Sequence, residues 1–403
     1  MRRISVKTLT PGMLLGRNVY NERGDILLRR GVVLTPKYID ALVARDLPVV
    51  YIADPSECEV PLAGPVSDEV HAAAVKSIAN LFEMISHMST MARAGTPPSL
   101  AASVEDMRSP KLNRQAIARL TAQMLLVVES IIDEVMQGET LTALGTLRSH
   151  DTYTYCHSVD MTITALLIAR KMFFKRDSMR RLAMGCMLHD IGKLFINPSI
   201  LSKPDTLTRA EIDAIRAHPQ LGYEFLADII DDSMARHVVL QHHERQDGKG
   251  YPRGLVGTNR IVRDDYERYE SGRILLIAEI AAVADVFDAL TSDRPYRLAY
   301  SADQVVETLA SIAGTQLNRE IVSHFVSALP RYPVGMDIEI VGGHYDGCQG
   351  VVTSANTGHP GRPIVLVLRD RYGARIDPTE LDLAKESEVS IRSIFIDPNI
   401  VAA

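Results

Sequence analysis

The longest apolar run in the chain, from about Ile274 to Leu290, contains three carboxylates, Glu279, Asp285 and Asp288. That combination constrains the fold more than any other feature. The run falls short of the ~18 uncharged apolar residues of a membrane span, and no other stretch reaches that length. It reads instead as a helix inside a protein. A carboxylate buried among apolar neighbours is costly unless a cation receives it, so Asp285 and Asp288 call for a positive partner. A metal ion is the simplest.

The rest of the chain fits around that helix. From about Leu112 to Leu329 the apolar spacing is helical in one segment after another, among them Ile117 to Val135 and Thr152 to Met172. Both ends read differently. From Ile4 to Asp54, short β-like runs flank the turn signal Asn21-Glu22-Arg23-Gly24, as in a hairpin, and Thr35-Pro36 suits the cap and first position of a helix. Residues 333–385 return to short β runs punctuated by glycine, which predicts a small barrel or sandwich. The fold class expected is mainly α, with a small N-terminal α+β module and a small C-terminal β module. The expected divisions are 1–60, a linker and connecting helix over 61–111, a helical domain over 112–330, and 331–403. Within 67–93, apolar residues at Val70, Ala74, Ile78, Phe82 and Ile85 mark a helix; its Met84, Met88 and Met91 suit either a dimer or interdomain contact or ordinary core packing.

Of 12 histidines, eight fall in the helical region, His150, His157, His189, His218, His242 and His243 among them. One buried histidine is more often a satisfied core residue than a ligand, but these sit in telling contexts. Neutral imidazole and carboxylate are the ligands of catalytic zinc, iron and manganese sites. His189-Asp190 lies in GCMLHDIGKLF; adjacent helical residues point about 100° apart, so both reach one ion only near a helix end, or the carboxylate bridges two. Lys193 follows one turn on and suits a substrate phosphate or plain solvent. His242-His243 opens HHERQDGKGYP, whose Gly248, Gly250 and Pro252 shape a loop. Arg294 and Arg297 stand three residues apart, placed to fork onto one anionic group.

The motifs HDIGK (189–193), HHERQDGKGYP (242–252) and DVFDALTSDRPYR (285–297), in this order, resemble the HD-GYP family of the HD phosphohydrolase superfamily. The resemblance covers roughly residues 112–330. It implies an all-helical domain with a metal centre that hydrolyses cyclic di-GMP in bacterial second-messenger signalling. It implies His157, His189, Asp190 and Asp285 as ligands of one metal, and His218, His242 and His243 as ligands of a second, with Asp190 bridging. Lys193, Gly250, Tyr251, Arg294 and Arg297 then contact the dinucleotide. Where members with a third metal carry Glu, this chain has Tyr153, so two ions are expected, iron or manganese rather than zinc. Lys249 stands where the family usually has Ser, and the stretch from Pro252 to Asp285, with its charged run RDDYERYE, is longer than usual. The N-terminal segment resembles a domain of unknown function that often precedes HD-GYP domains.

With 44 Lys and Arg against 50 Asp and Glu, a net charge of −6 argues against nonspecific binding to DNA or RNA. Four scattered cysteines without a CxxC pair suggest a reducing cytoplasm, and no export signal is expected at the start. The expectation is a metal-dependent cyclic di-GMP phosphodiesterase giving pGpG and further GMP, with a homodimer or a signalling protein as possible partner. The alternatives are a metal-bound cyclic dinucleotide receptor with little turnover, and an HD hydrolase of another nucleotide.

Overall fold

The computed structural model describes residues 2–21, 23–45, 47, 49–53, 64–93, 114–138, 153–263, 272–292, 300, 302–329, 331–332, 334–356, 359, 361 and 362–394. His150, Arg294, Arg297 and the expected linker GTPPSLAAS lie outside the described residues.

The N-terminal strands are β1 (Arg2–Ser5), β2 (Leu14–Leu15), β3 (Val19–Tyr20), β4 (Ile26–Leu28) and β5 (Val49–Ala53). They form an antiparallel sheet in the order β1-β5-β2 and the expected hairpin β3-β4. Asn21 makes the turn: its Oδ1 accepts from the backbone N–H groups of Arg23 and Asp25, both at 2.9 Å, and Gly24 adopts φ +75°. Helix α1 (Pro36–Val43) is capped by Thr35, whose hydroxyl accepts from Tyr38 N at 3.3 Å. A small core around Leu15, Leu34 and Ile52 holds this part together.

The central region contains α2 (Asp68–Arg93), α3 (Arg114–Gln137), α4 (Tyr153–Lys171), α5 (Arg176–Leu188), α6 (Arg209–Arg216), α7 (His218–Leu226), α8 (Ser233–Gln241), α9 (Leu276–Thr291), α10 (Ala302–Ile312) and α11 (Arg319–Val326). Helix α9 is the acidic apolar run; its residues from Ile277 to Ala284 are all buried, with α4, α5, α8, α10 and α11 packed around it. Helix α2 buries Ile78, Phe82 and Ile85 in this same core against Met124, Val128 and Ile132 of α3, the packing reading of that segment. Among the described residues, one helix, Gln115–Gln137, is long and apolar enough to cross a membrane.

At the C-terminal end, β6 (Asp337–Val341), β7 (Gln349–Ser354), β8 (Ile364–Arg369), β9 (Arg375–Asp382) and β10 (Ser390–Ser393) form one antiparallel sheet in the order β10-β6-β7-β8-β9. A sandwich needs two facing sheets. Here a single sheet, bent by register shifts between β7, β8 and β9, covers Ile338, Ile340, Val352, Val365 and Val367.

Candidate metal centre

Five helix segments deliver the candidate ligands, mostly from their ends. Helix α5 stops at Leu188, so His189 is its cap residue and Asp190 follows before a 3-10 turn, Ile191–Phe195. His218 is the first residue of α7, and His242 caps α8 with His243 next to it. His157 and Asp285 lie within α4 and α9. Helix ends free adjacent residues from the 100° constraint, which is how His189 and Asp190 reach the same place.

Two groups result. The ligating atoms of His157, His189 and Asp190 lie within 4.8 Å of one another, and so do those of His218, His242 and His243. Asp190 spans the two: its Oδ2 is 3.3 Å from His189 Nε2 and its Oδ1 is 3.4 Å from His218 Nε2. Asp285 also spans them, with Oδ1 3.3 Å from His157 Nε2 and Oδ2 3.9 Å from His243 Nδ1. Lys193 Nζ donates to Asp190 Oδ2 at 2.7 Å.

The hydrogen-bond pattern tests whether a cation fits. His189, His218 and His242 each place Nδ1 2.8 Å from a backbone carbonyl three residues upstream, those of Cys186, Ile215 and Val239. A carbonyl only accepts, so each Nδ1 carries the proton and each Nε2 presents a lone pair. The Nε2 atoms of His218 and His242 then face each other at 3.2 Å, two acceptors without a donor. Asp190 Oδ1 is buried and has no hydrogen-bond partner. Lone pairs and an orphaned carboxylate oxygen converging in one place are what a bound cation satisfies.

Electrostatics agree. Burial drives the pKa of His218 down to about 3 and that of His243 to about 4, and pushes His242 well below the usual imidazole range, so all three remain neutral ligands. Burial also opposes ionising Asp190 and Asp285. For Asp190 the electrostatic attraction of the neighbouring His189 ring and the Lys193 ammonium outweighs it, and for Asp285 the hydrogen bond and charge of His157 do, so both stay well below the carboxylate range. His157 goes the other way: burial disfavours its charge, but hydrogen bonds to Asp285 and Asp288 raise it to about 10. In the metal-free protein a proton there holds positive charge between two carboxylates, and a cation binding at His157 Nε2 would take that proton's place while Nδ1 stays hydrogen-bonded to Asp288.

The loop after His243 shapes the mouth of the site. Its backbone folds so tightly that a Cβ on Gly250 would lie 2.4 Å from Arg245 N and 2.5 Å from Glu244 Cα. The buried Glu244 accepts from Arg253 N at 2.7 Å and Leu255 N at 2.8 Å. This closure sets the Tyr251 ring 4.7 Å from that of His243. Lys249 is exposed.

Of the expected site residues, His157, His189, Asp190, His218, His242, His243 and Asp285 come together, with Lys193, Gly250 and Tyr251 beside them. Arg294 and Arg297 are outside the described residues. Asp288, flagged in the sequence only as a carboxylate needing a cation, holds His157 Nδ1 at 2.6 Å. The third carboxylate of the run, Glu279, meets a different partner: Arg263, together with Gln246 at 2.8 Å and Asn318 at 2.9 Å. Arg263 heads the run RDDYERYE and is buried, not solvated. His237 lies apart, half-buried and bonded to Ser233 O at 2.7 Å.

A family model described as HD domain matches residues 127–262, and one described as KOW domain associated with HD domain matches residues 345–401. A cyclic di-GMP phosphodiesterase of Pseudomonas aeruginosa is 35% identical over 225 residues, 55% of this chain and 51% of that protein. The cyclic di-GMP phosphodiesterase response regulator RpfG of Xanthomonas campestris is 36% identical over 195 residues, 48% of each. Residues 127–262 are thus an HD domain, and the relatives that share it are named as cyclic dinucleotide phosphodiesterases. A 3'3'-cGAMP-specific phosphodiesterase of Vibrio cholerae is 31% identical over 203 residues, 50% of this chain and 41% of that protein. The chain thus spans about half the length or less of these curated relatives.

Proposed function

We propose that this chain is a metal-dependent phosphodiesterase that hydrolyses cyclic di-GMP to pGpG, and further to GMP. The observation that carries the reading is the pair of ligand groups spanned by Asp190, with a buried carboxylate oxygen that has no donor. The similarity to cyclic di-GMP phosphodiesterases supports the substrate class. His157, His189, Asp190 and Asp285 would hold one divalent ion, and His218, His242 and His243, with Asp190, a second. A nitrogen and carboxylate donor set without thiolate suits iron or manganese over zinc. Such ions supply Lewis acidity at a phosphoryl oxygen and a water acidic enough to act as nucleophile at neutral pH.

The chain's own groups do the rest. Asp190 and Asp285, both ionised, fix the spacing of the two ligand groups. Lys193, about a third exposed beside Asp190, holds positive charge where a phosphodiester oxygen would approach. Gly250 lets the loop close, and Tyr251 walls the mouth of the site beside His243. Arg294 and Arg297 complete the anion clamp in this reading. The protein works in the cytoplasm, in keeping with four scattered cysteines that form no CxxC pair, on a small nucleotide rather than on DNA, RNA or a membrane.

The test is anaerobic incubation of the iron- or manganese-loaded protein with cyclic di-GMP, with 3'3'-cGAMP and GTP in parallel and products separated by chromatography. The reading predicts pGpG or GMP. Binding without product would replace it with a receptor, and turnover of another nucleotide alone would replace the substrate.

A further inference from the structure

Arg216 is the last residue of α6, two positions before His218. Its guanidinium carbon lies over the Tyr251 ring, 5.5 Å from the centroid. Tyr251 in turn lies 4.7 Å from the His243 ring and 6.4 Å from that of His218. The arginine is therefore one aromatic layer outside the second group of ligands. It is exposed, and among the described residues no carboxylate, carbonyl or hydroxyl pairs with it. Two other arginines of this neighbourhood are committed, Arg245 to Asp247 at 2.8 Å and Arg263, buried against Glu279, whereas Arg253 and Lys249 of the loop itself are exposed.

A cation–π contact fixes where a guanidinium sits without using its N–H donors. Burial raises the Tyr251 hydroxyl above its usual range, so the ring under Arg216 stays a neutral phenol and its attraction for the cation persists at ordinary pH. The result is a positioned fork of donors with no protein acceptor among the described residues, one ring away from the ligand cluster. Such a fork matches a phosphate bidentately.

We propose that Arg216 is a substrate-binding residue that receives the second phosphodiester of a cyclic dinucleotide, the one not being cleaved at the ligand cluster. This rests on the cyclic dinucleotide reading above. A cyclic dinucleotide carries two phosphodiesters in one ring; when one occupies the cluster, the other keeps its full negative charge, and Arg216 is a cation held in place over the Tyr251 ring beside the loop that frames the cluster. The residue therefore distinguishes a two-phosphate ring from a substrate with one phosphodiester.

The experiment compares Arg216→Met and Arg216→Lys with the wild type on cyclic di-GMP and on bis(p-nitrophenyl) phosphate, which has a single phosphodiester. A hydrogen-bonded charge contact of this kind corresponds to about a tenfold to hundredfold change in affinity. The Met variant should raise KM for cyclic di-GMP by that factor with a smaller change in kcat. Its kcat/KM should fall at least tenfold more on cyclic di-GMP than on the single diester, and Lys should restore part of the difference. Equal losses on both substrates, or no loss on either, would overturn the proposal. If the wild type binds cyclic di-GMP without turning it over, the same comparison is made in Kd, and an unchanged Kd overturns it. A wild type that cleaves the single diester but neither binds nor cleaves cyclic dinucleotides refutes the functional reading itself, and the role of Arg216 falls with it.

Discussion

Gly192, between Asp190 and Lys193, has no part in the chemistry, yet Gly192→Ala should disable the centre. A Cβ built there lies 1.9 Å from His218 O and 2.8 Å from Gly222 N. Restoring ordinary contact means parting the 3-10 turn from the start of α7 by roughly 1.5 Å, and both obstacles are backbone, which cannot rotate aside as a side chain can. Overpacking of this kind costs about 1–3 kcal/mol, equivalent to a fall of a few to about ten degrees in unfolding temperature. The functional loss is larger than the stability loss, because the two parts being separated carry Asp190 and His218, now 3.4 Å apart. A misplacement of about 1 Å costs on the order of a hundredfold in rate. Gly222→Ala is the graded control: its Cβ meets first the Val239 methyl at 2.9 Å, a side-chain atom, and then Gly192 N at 3.2 Å. Metal content by mass spectrometry, calorimetric unfolding and turnover should rank wild type, Gly222→Ala, Gly192→Ala. A Gly192→Ala protein with full metal content, wild-type turnover and unchanged unfolding would refute the steric reasoning.

Asp288→Asn removes the charge that orients His157, and metal affinity should fall about 10–100-fold in a chelator competition; unchanged affinity would mean that His157 is set by helix packing alone. The metal-free protein should be most stable near neutral pH. His218 and His243 have folded pKa values depressed to about 3 and about 4, so their contribution is present above the unfolded value and is lost as pH falls from ~6.5 toward those values, at about 1.4 kcal/mol per pH unit per imidazole. His157 is raised to about 10, so its contribution is full below ~6.5 and is lost as pH rises toward 10. Urea midpoints measured from pH 4 to 10 after chelation would show both limbs, and a flat profile would contradict the assigned protonation states.

How much of this was legible in the sequence depended on whether the signal was local. The Thr35 cap, the Asn21–Gly24 turn and the long helices are encoded within a few residues, and each formed where the pattern placed it. The acidic apolar run announced that Asp285, Asp288 and Glu279 needed cations, but not which ones. Asp288 found an imidazole from α4, 131 positions away in the chain, and Glu279 found Arg263 at the head of the charged run RDDYERYE. Periodicity carries no information about such pairings, because they arise only when helices pack. The ligand histidines divide on the same line. His189-Asp190 and His242-His243 stand out as pairs, whereas His157 and His218 are single histidines separated from the rest only by a family resemblance. The lone His71 on α2 gave no signal, yet it pairs with Asp160 of α4 at 2.7 Å, one turn from His157. The same holds for the C-terminal sheet, whose strands were apparent but whose single-sheet order depends on register.

The most direct test joins metal content to chemistry at Asp190, the residue that spans both ligand groups. Wild type and Asp190→Ala, purified and iron- or manganese-loaded without oxygen, are assayed side by side for bound metal per chain and for pGpG released from cyclic di-GMP. Two metals per chain and product for the wild type, with metal depleted and product lost in the variant while the fold persists by circular dichroism, is the predicted result. An Asp190→Ala protein that retains both its metal and its turnover would contradict a centre built on that carboxylate.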